Sequence, residues 1–208
     1  DILTFAWSLA RLRRRRFFAG AESPSPTLAR RIAAYGLRAQ IGGIMTLLNL
    51  RLDFIILSVL AGPAVLGVYA IASKFAELVK VPGMALTYVL YPRYSQAGPA
   101  RAGTDARRLL PRVGVPIAVA VAPLWVAAGW LIPALYGSGF DPAVTPARII
   151  LVGLILEGVA GVITAYLYGI GRPGLNSWAM GVGLAVTVVL DVLLIPSFGS
   201  TGAAVASA

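Results

Sequence analysis

Apolar residues in this chain fall into blocks as long as a bilayer is thick, divided by short polar stretches. A hydrocarbon core of about 30 Å takes about 20 helical residues. Segments near 37–60, 66–91, 114–135, 147–169 and 175–195 meet that length, and a further one begins near Gly202. Asp1–Ala10 (DILTFAWSLA) is too short to span and reads as the end of a truncated helix. Residues 11–36 read as a basic cytoplasmic loop and an interfacial segment, with Thr27 as its N-cap. Residues 37–208 read as the transmembrane bundle. The connections GPAVLG, YGSGFDPAVTP, GIGRPG and PSFGSTG are short and rich in Gly, Pro or Ser, as turns between antiparallel helices are. The pattern predicts an all-α, polytopic transmembrane helix bundle, truncated at both ends.

Composition agrees with the pattern. The 208 residues are 58% hydrophobic and 12% charged, with mean hydropathy +0.82. Soluble domains are roughly 45–50% apolar and about 25% charged. The 18 basic and 8 acidic residues leave a net charge of +10. On a soluble protein that excess would point to nucleic acid. Here no aromatic–basic platform accompanies it, and no nucleic-acid partner is expected.

The basic residues report topology instead. The segment 11–38 holds eight Lys/Arg, 92–112 holds five and GIGRPG holds Arg172, whereas the alternate connections 61–65, 136–146 and 196–201 hold none. The positive-inside rule then makes the basic segments cytoplasmic, in a cell (inner) membrane. The run at Arg11–Arg16 fits a stop signal and an anchor for anionic lipid. Neither Cys nor His occurs, which excludes thiol nucleophiles, a Ser-His-Asp triad and the commonest zinc ligands. The eight acids are scattered, with no D-D-x-x-D run. No metal site and no enzyme activity are expected. The glycines of GIGRPG and GVGLAV, with Gly158 and Gly161, predict close helix approaches rather than a nucleotide loop.

Four basic residues fall inside spans: Arg51, Lys74, Lys80 and Arg148. With Asp53, Glu77 and Glu157, three of them place ionisable groups where hydrocarbon penalises charge. At about 1.5 Å per residue, Arg51, Asp53, Lys74, Glu77 and Glu157 fall in a band roughly 10–17 Å below the outer surface, and Lys80 is deeper. Pro82-Gly83 should loosen the helix just after it. Asp191 is only a few residues from its outer helix end and is expected to reach water. Gly42, Thr46, Asn49 and Asp53 share one helical stripe, with Arg51 nearly opposite. The packing alternative is two interhelical ion pairs, Arg51–Glu77 and Asp53–Lys74. Six charges exceed what packing needs, which favours a wet, functional cavity.

Three stretches together carry a family resemblance. They are the R-L-D within a span followed by L-x-G-P-x-x-L-G-x-Y-x-x-A, then L-Y-G-x-x-F, then P-x-x-G-x-x-G-A-A-x-A. The chain resembles the polysaccharide and lipid-linked oligosaccharide flippases of the multidrug/oligosaccharidyl-lipid/polysaccharide (MOP) exporter superfamily, from about Arg11 to Ala208. The resemblance implies two six-helix bundles around a cavity open to one side at a time. This chain would supply most of the second bundle, and a missing N-terminal bundle of the same protein would supply the first. The implied cargo is a polyprenyl-pyrophosphate-linked oligosaccharide, flipped from the cytoplasmic to the outer leaflet for cell-surface polysaccharide synthesis. Arg51 and Lys74, with Lys80 behind them and Asn49 beside them, are the implied cargo-binding residues. Asp53, Glu77 and Glu157 are expected to couple to an ion or to form ion pairs. No cofactor is expected beyond H+ or Na+ coupling, and membrane lipids are expected partners. The alternative is a cation-coupled multidrug antiporter of the same superfamily, driven through the same three acids.

Overall fold

In the computed structural model, residues 2–14 and 25–208 are described, with only the backbone given for 2, 3, 13, 50 and 80–84. Every element among them is helical. Residues 1–34 form one compact unit and 35–208 another.

The first unit holds α1 (Ile2–Arg14) and the opening turns of α2 (Pro26–Leu60). In α1 the Arg11 guanidinium lies 4.8 Å from the centre of the Trp7 ring. The cap of α2 is Ser25 rather than Thr27: its hydroxyl accepts the Leu28 N–H at 3.2 Å, with Pro26 at the first helical position. Residues 27–36 are helical, within α2. Arg15, Arg16 and the Ser23-Pro24 part of the loop lie outside the described residues.

The second unit continues α2 and adds α3 (Gly62–Glu77), α4 (Lys80–Ala97), α5 (Pro99–Tyr136), a short 3-10 turn (Ser138–Ala143), α6 (Val144–Gly169) and α7 (Pro173–Ser207). Pro26–Leu60, Pro99–Tyr136, Ser138–Gly169 and Pro173–Ser207 are each long and apolar enough to cross a membrane. The protein is an all-α, multi-pass membrane protein.

The stretch expected as one helix over 66–91 is two helices. Proline has no N–H, and its ring crowds the carbonyl four residues back. For Pro82 that carbonyl belongs to Leu78, and there the helix breaks. The backbone tightens to three-residue closures, Leu78 N–H to Phe75 O at 3.4 Å and Val79 N–H to Ala76 O at 3.1 Å. α4 then restarts at Lys80.

The expected basic loop over 92–111 is also helical. Gly98, at φ 76°, makes a one-residue turn between α4 and α5, and Pro99 opens α5. The Ala-, Leu- and Arg-rich run after it has high helix propensity, so Arg101, Arg107, Arg108 and Arg112 ride on a helix.

α6 is the element the others pack around. Ala147 and Leu151 of α6 share one core with Ala72, Phe75 and Ala76 of α3 and Val121, Ala128 and Ile132 of α5. Val162 and Ala165, nearer its other end, join Leu90 and Tyr94 of α4 and Ala102, Ala106 and Val113 of α5 in a second core. Gly158 is a point of close approach: a Cβ there would run into the Ile117 δ-methyl. Gly181 and Gly183, by contrast, face open space.

The end of α7 positions the site. The helix runs past the expected end at 195 to Phe198, then reverses at Gly199, whose φ of 53° and ψ of −129° are non-helical. Residues 200–207 return as helix against the last turns before the kink. A Cβ at Gly202 would sit 2.6 Å from the Leu194 carbonyl oxygen, so only glycine permits that contact. The returning Ala203 and Ala204 join Leu57, Tyr69 and Ile195 in a third core.

Candidate functional site

α2 and α7 run side by side in parallel. Ser177 of α7 donates to the Arg38 carbonyl at 2.5 Å, and a Cβ at Gly42 would lie 2.8 Å from the same Ser177 hydroxyl. Further along, Leu57 of α2 and Ile195 of α7 share a core. One helical turn before each of those two residues stands an aspartate, Asp53 and Asp191.

Both aspartates are buried, Asp53 to 4% and Asp191 to 0% exposure. Asp53 is satisfied locally. Its Oδ2 accepts the Tyr69 hydroxyl of α3 at 2.5 Å, and its Oδ1 accepts the Phe54 N–H at 2.8 Å. The Tyr69 oxygen also lies 3.2 Å from Ser207 Oγ on the returning segment. The Phe54 ring packs edge-on to that of Tyr69, with centroids 5.1 Å apart. Counted at about 1.5 Å per residue, Asp53, Tyr69 and Asp191 lie roughly 10–12 Å from Ala61, Gly62 and Gly199 respectively. Asp53 and Tyr69, hydrogen-bonded to each other, share a level.

Asp191 is placed differently from its expectation. The longer helix puts it two turns before the kink, where it is fully buried. Neither of its oxygens has a hydrogen-bond partner. A buried, unsatisfied carboxylate is costly, and native structures rarely keep one without a reason.

The other sequence-predicted residues sit elsewhere. Arg51 is exposed on the opposite side of α2 from Asp53, and Asn49 is half-buried. Lys74 and Glu77 are both exposed and pair with each other along α3, Nζ to Oε2 at 2.7 Å. The alternative pairs, Arg51–Glu77 and Asp53–Lys74, do not form. Because α3 starts at Gly62, Lys74 and Glu77 are roughly 18 and 22 Å along it from that end, further than the span boundary near Leu66 implied. Glu157 is on an exposed face of α6. The side chain of Lys80 lies outside the described residues, although its backbone opens α4. Arg148, the fourth basic residue within a span, is engaged elsewhere: its Nε donates to the Trp125 carbonyl at 3.1 Å, and its guanidinium lies 4.8 Å from the Trp125 ring centre.

The arrangement has two parts. One is an oxygen-rich knot of Asp53, Tyr69 and Ser207 between α2, α3 and the end of α7, with the buried, unpartnered Asp191 also on α7. The other is a set of charges, Arg51 with the Lys74–Glu77 pair, turned away from this bundle's own cores. Among the described residues no group of three or more acidic side chains could hold a metal ion.

Comparison with known proteins fits this architecture. The chain is 25% identical to a probable low-salt glycan biosynthesis flippase, Agl15, of Haloferax volcanii. The match takes in all of this chain and 44% of the relative, so the chain spans less than half of that protein's length. No solved structure gives a significant match. The family described as polysaccharide biosynthesis protein matches residues 21–145, more than half of the chain, and the chain belongs to that family.

Proposed function

We propose that the complete protein is a flippase, not an enzyme, that carries a polyprenyl-pyrophosphate-linked oligosaccharide from the cytoplasmic to the outer leaflet. The second bundle of the pair is formed by this chain, and the first by the N-terminal half of the same protein. The two rock about a site inside the membrane, and no covalent bond is made or broken. The basic segments, including the start of α5, lie in the cytoplasm, and the membrane is the cell (inner) membrane.

The observation that carries this reading is the outward placement of Arg51 and Lys74. Charges at that depth need a partner or water, and neither residue turns into a core of this bundle. A cavity shared with the first bundle supplies the water, and the pyrophosphate supplies the anion. Lys74 reaches it by exchanging Glu77 for phosphate, so Glu77 holds the ammonium in place between cycles. The helix break beside the pair adds donors. α4 begins anew at Lys80 with no side-chain cap, and transporter sites commonly use such interrupted helices to face anionic groups. The relative's name speaks for a glycan rather than a drug as cargo.

The test is cell-surface glycan export by the complete protein carrying Arg51→Ala and Lys74→Ala together. Export should fall at least tenfold while membrane abundance is unchanged. Normal export would remove both residues from the site.

A further inference from the structure

We propose that the groove between the first turns of α5 and the last turns of α6 holds the headgroup of an anionic phospholipid, with Arg107 on the phosphate and the acyl chains over Leu110 and Ile163. The inference rests on the chain being a multi-pass membrane protein and is independent of the cargo.

The groove is a cavity of about 470 Å³, lined by one face of α5, from Pro99 through Thr104 and Arg107 to Leu110, and by Ile163 and Tyr166 of α6. It opens outward, since Thr104, Arg107 and Ile163 are exposed. Tyr166 forms an inner wall. Its hydroxyl would lie 3.4 Å from a Cβ at Gly103, and its ring packs edge-on to that of the buried Tyr94, with centroids 6.2 Å apart. The phenol is thus held in place, and the missing side chain of Gly103 keeps the space before it clear.

Both walls are graded in the same sense. α5 and α6 are antiparallel, each joining the two cores at opposite ends of its sequence. Along α5 the lining passes from Arg107 to Leu110 toward the membrane interior, and along α6 from Tyr166 back to Ile163. Polar groups therefore stand at one end and apolar groups at the other, as in a phospholipid. A soluble anion would leave the apolar end uncovered. The level agrees: Arg107 stands roughly 10 Å before the apolar stretch that opens near 114, and Tyr166 is in the last turn of α6. Tyrosines favour this boundary, where headgroups lie.

Charge selects the headgroup. Residues 92–112 carry five arginines and one acid, Asp105, which stands roughly 160° around the helix from Arg107. Among the described residues the one ion pair is Lys74–Glu77, so no described carboxylate pairs with Arg107. A guanidinium matches phosphate oxygens two at a time, and the Tyr166 hydroxyl supplies a further donor. The first turn of α5 has no side-chain cap, so the positive end of the helix dipole lies at the same cavity. Arg101, Arg108 and Arg112, roughly 100–140° further round, draw anionic lipid to the surface without lining the groove.

The complete protein in detergent tests this. Phosphatidylglycerol added in mixed micelles should raise the melting temperature saturably, by the linkage of binding to folding, and phosphatidylcholine should not. Arg107→Gln should raise the phosphatidylglycerol concentration for half the effect at least about fivefold, and Arg108→Gln by less than about twofold. Equal loss in the two variants would mean diffuse surface attraction and overturns the groove. So does a wild-type protein indifferent to phosphatidylglycerol, or an equal rise with phosphatidylcholine or with inorganic phosphate. Farnesyl pyrophosphate acting at lower concentration than phosphatidylglycerol overturns it too, in favour of a cargo site. Should Arg107→Gln fail to fold, crosslinking of wild type with photoactivatable phosphatidylglycerol decides. Label on residues 99–110 or 163–166 supports the site, and label only elsewhere overturns it.

Discussion

Tyr69 of α3 donates its hydroxyl to Asp53 of α2 at 2.5 Å, across the Gly62-Pro63 turn that joins the two helices. Both groups are buried, and the same hydroxyl lies 3.2 Å from Ser207 on the returning segment. One phenol thus links three elements. A hydrogen bond to a charged partner contributes roughly 1.5–3 kcal/mol, and more is at stake when its loss leaves a buried acceptor bare. Tyr69→Phe should therefore lower stability by about 2 kcal/mol. In the Asp53→Asn background the same change should cost visibly less. Denaturation of the four proteins in detergent gives the coupling, and strict additivity would mean that the two side chains do not interact.

Two glycines should respond unequally to alanine. At Gly202 the added methyl meets the Leu194 carbonyl at 2.6 Å, which is backbone and cannot turn aside. At Gly158 it meets the end of the Ile117 side chain, which has other rotamers available. Gly202→Ala should cost about 2–3 kcal/mol, in the range of overpacked cores, and Gly158→Ala about 1 or less. Thermal unfolding of the two variants side by side checks the order. An equal or reversed order would contradict the packing of the returning segment.

Pro82→Ala should heal the break between α3 and α4. The new N–H can reach the Leu78 carbonyl and extend one helix into the next. Spin labels on the two halves should then report a longer, narrower distance distribution than in wild type. If the break serves the cavity, transport should fall although stability rises. An unchanged distance would place the cause of the break elsewhere than at Pro82.

Pro82 also marks what was legible beforehand. Pro-Gly after Lys80 announced a weakened helix, and the i, i+3 spacing of Lys74 and Glu77 already permitted a pair within one helix. The helical stripe separated Asp53 from Arg51, and in the structure one is buried and the other exposed. Asp191 was not legible. Its helix runs three residues past the end that the Pro196 signal implied, and the side chain is fully buried. Periodicity describes one helix at a time, whereas burial is set by what packs against it. Gly181 and Gly183 misled in the opposite sense: a small-residue pair permits close packing, but only a neighbour on that face makes it happen.

The most direct measurement is leaflet translocation by the complete protein in liposomes, offered a labelled polyprenyl-pyrophosphate oligosaccharide beside a cationic dye. The glycolipid should cross while the dye stays, and Arg51→Ala with Lys74→Ala should abolish the crossing. Ion-driven dye exchange with the glycolipid left in place would contradict the flippase reading.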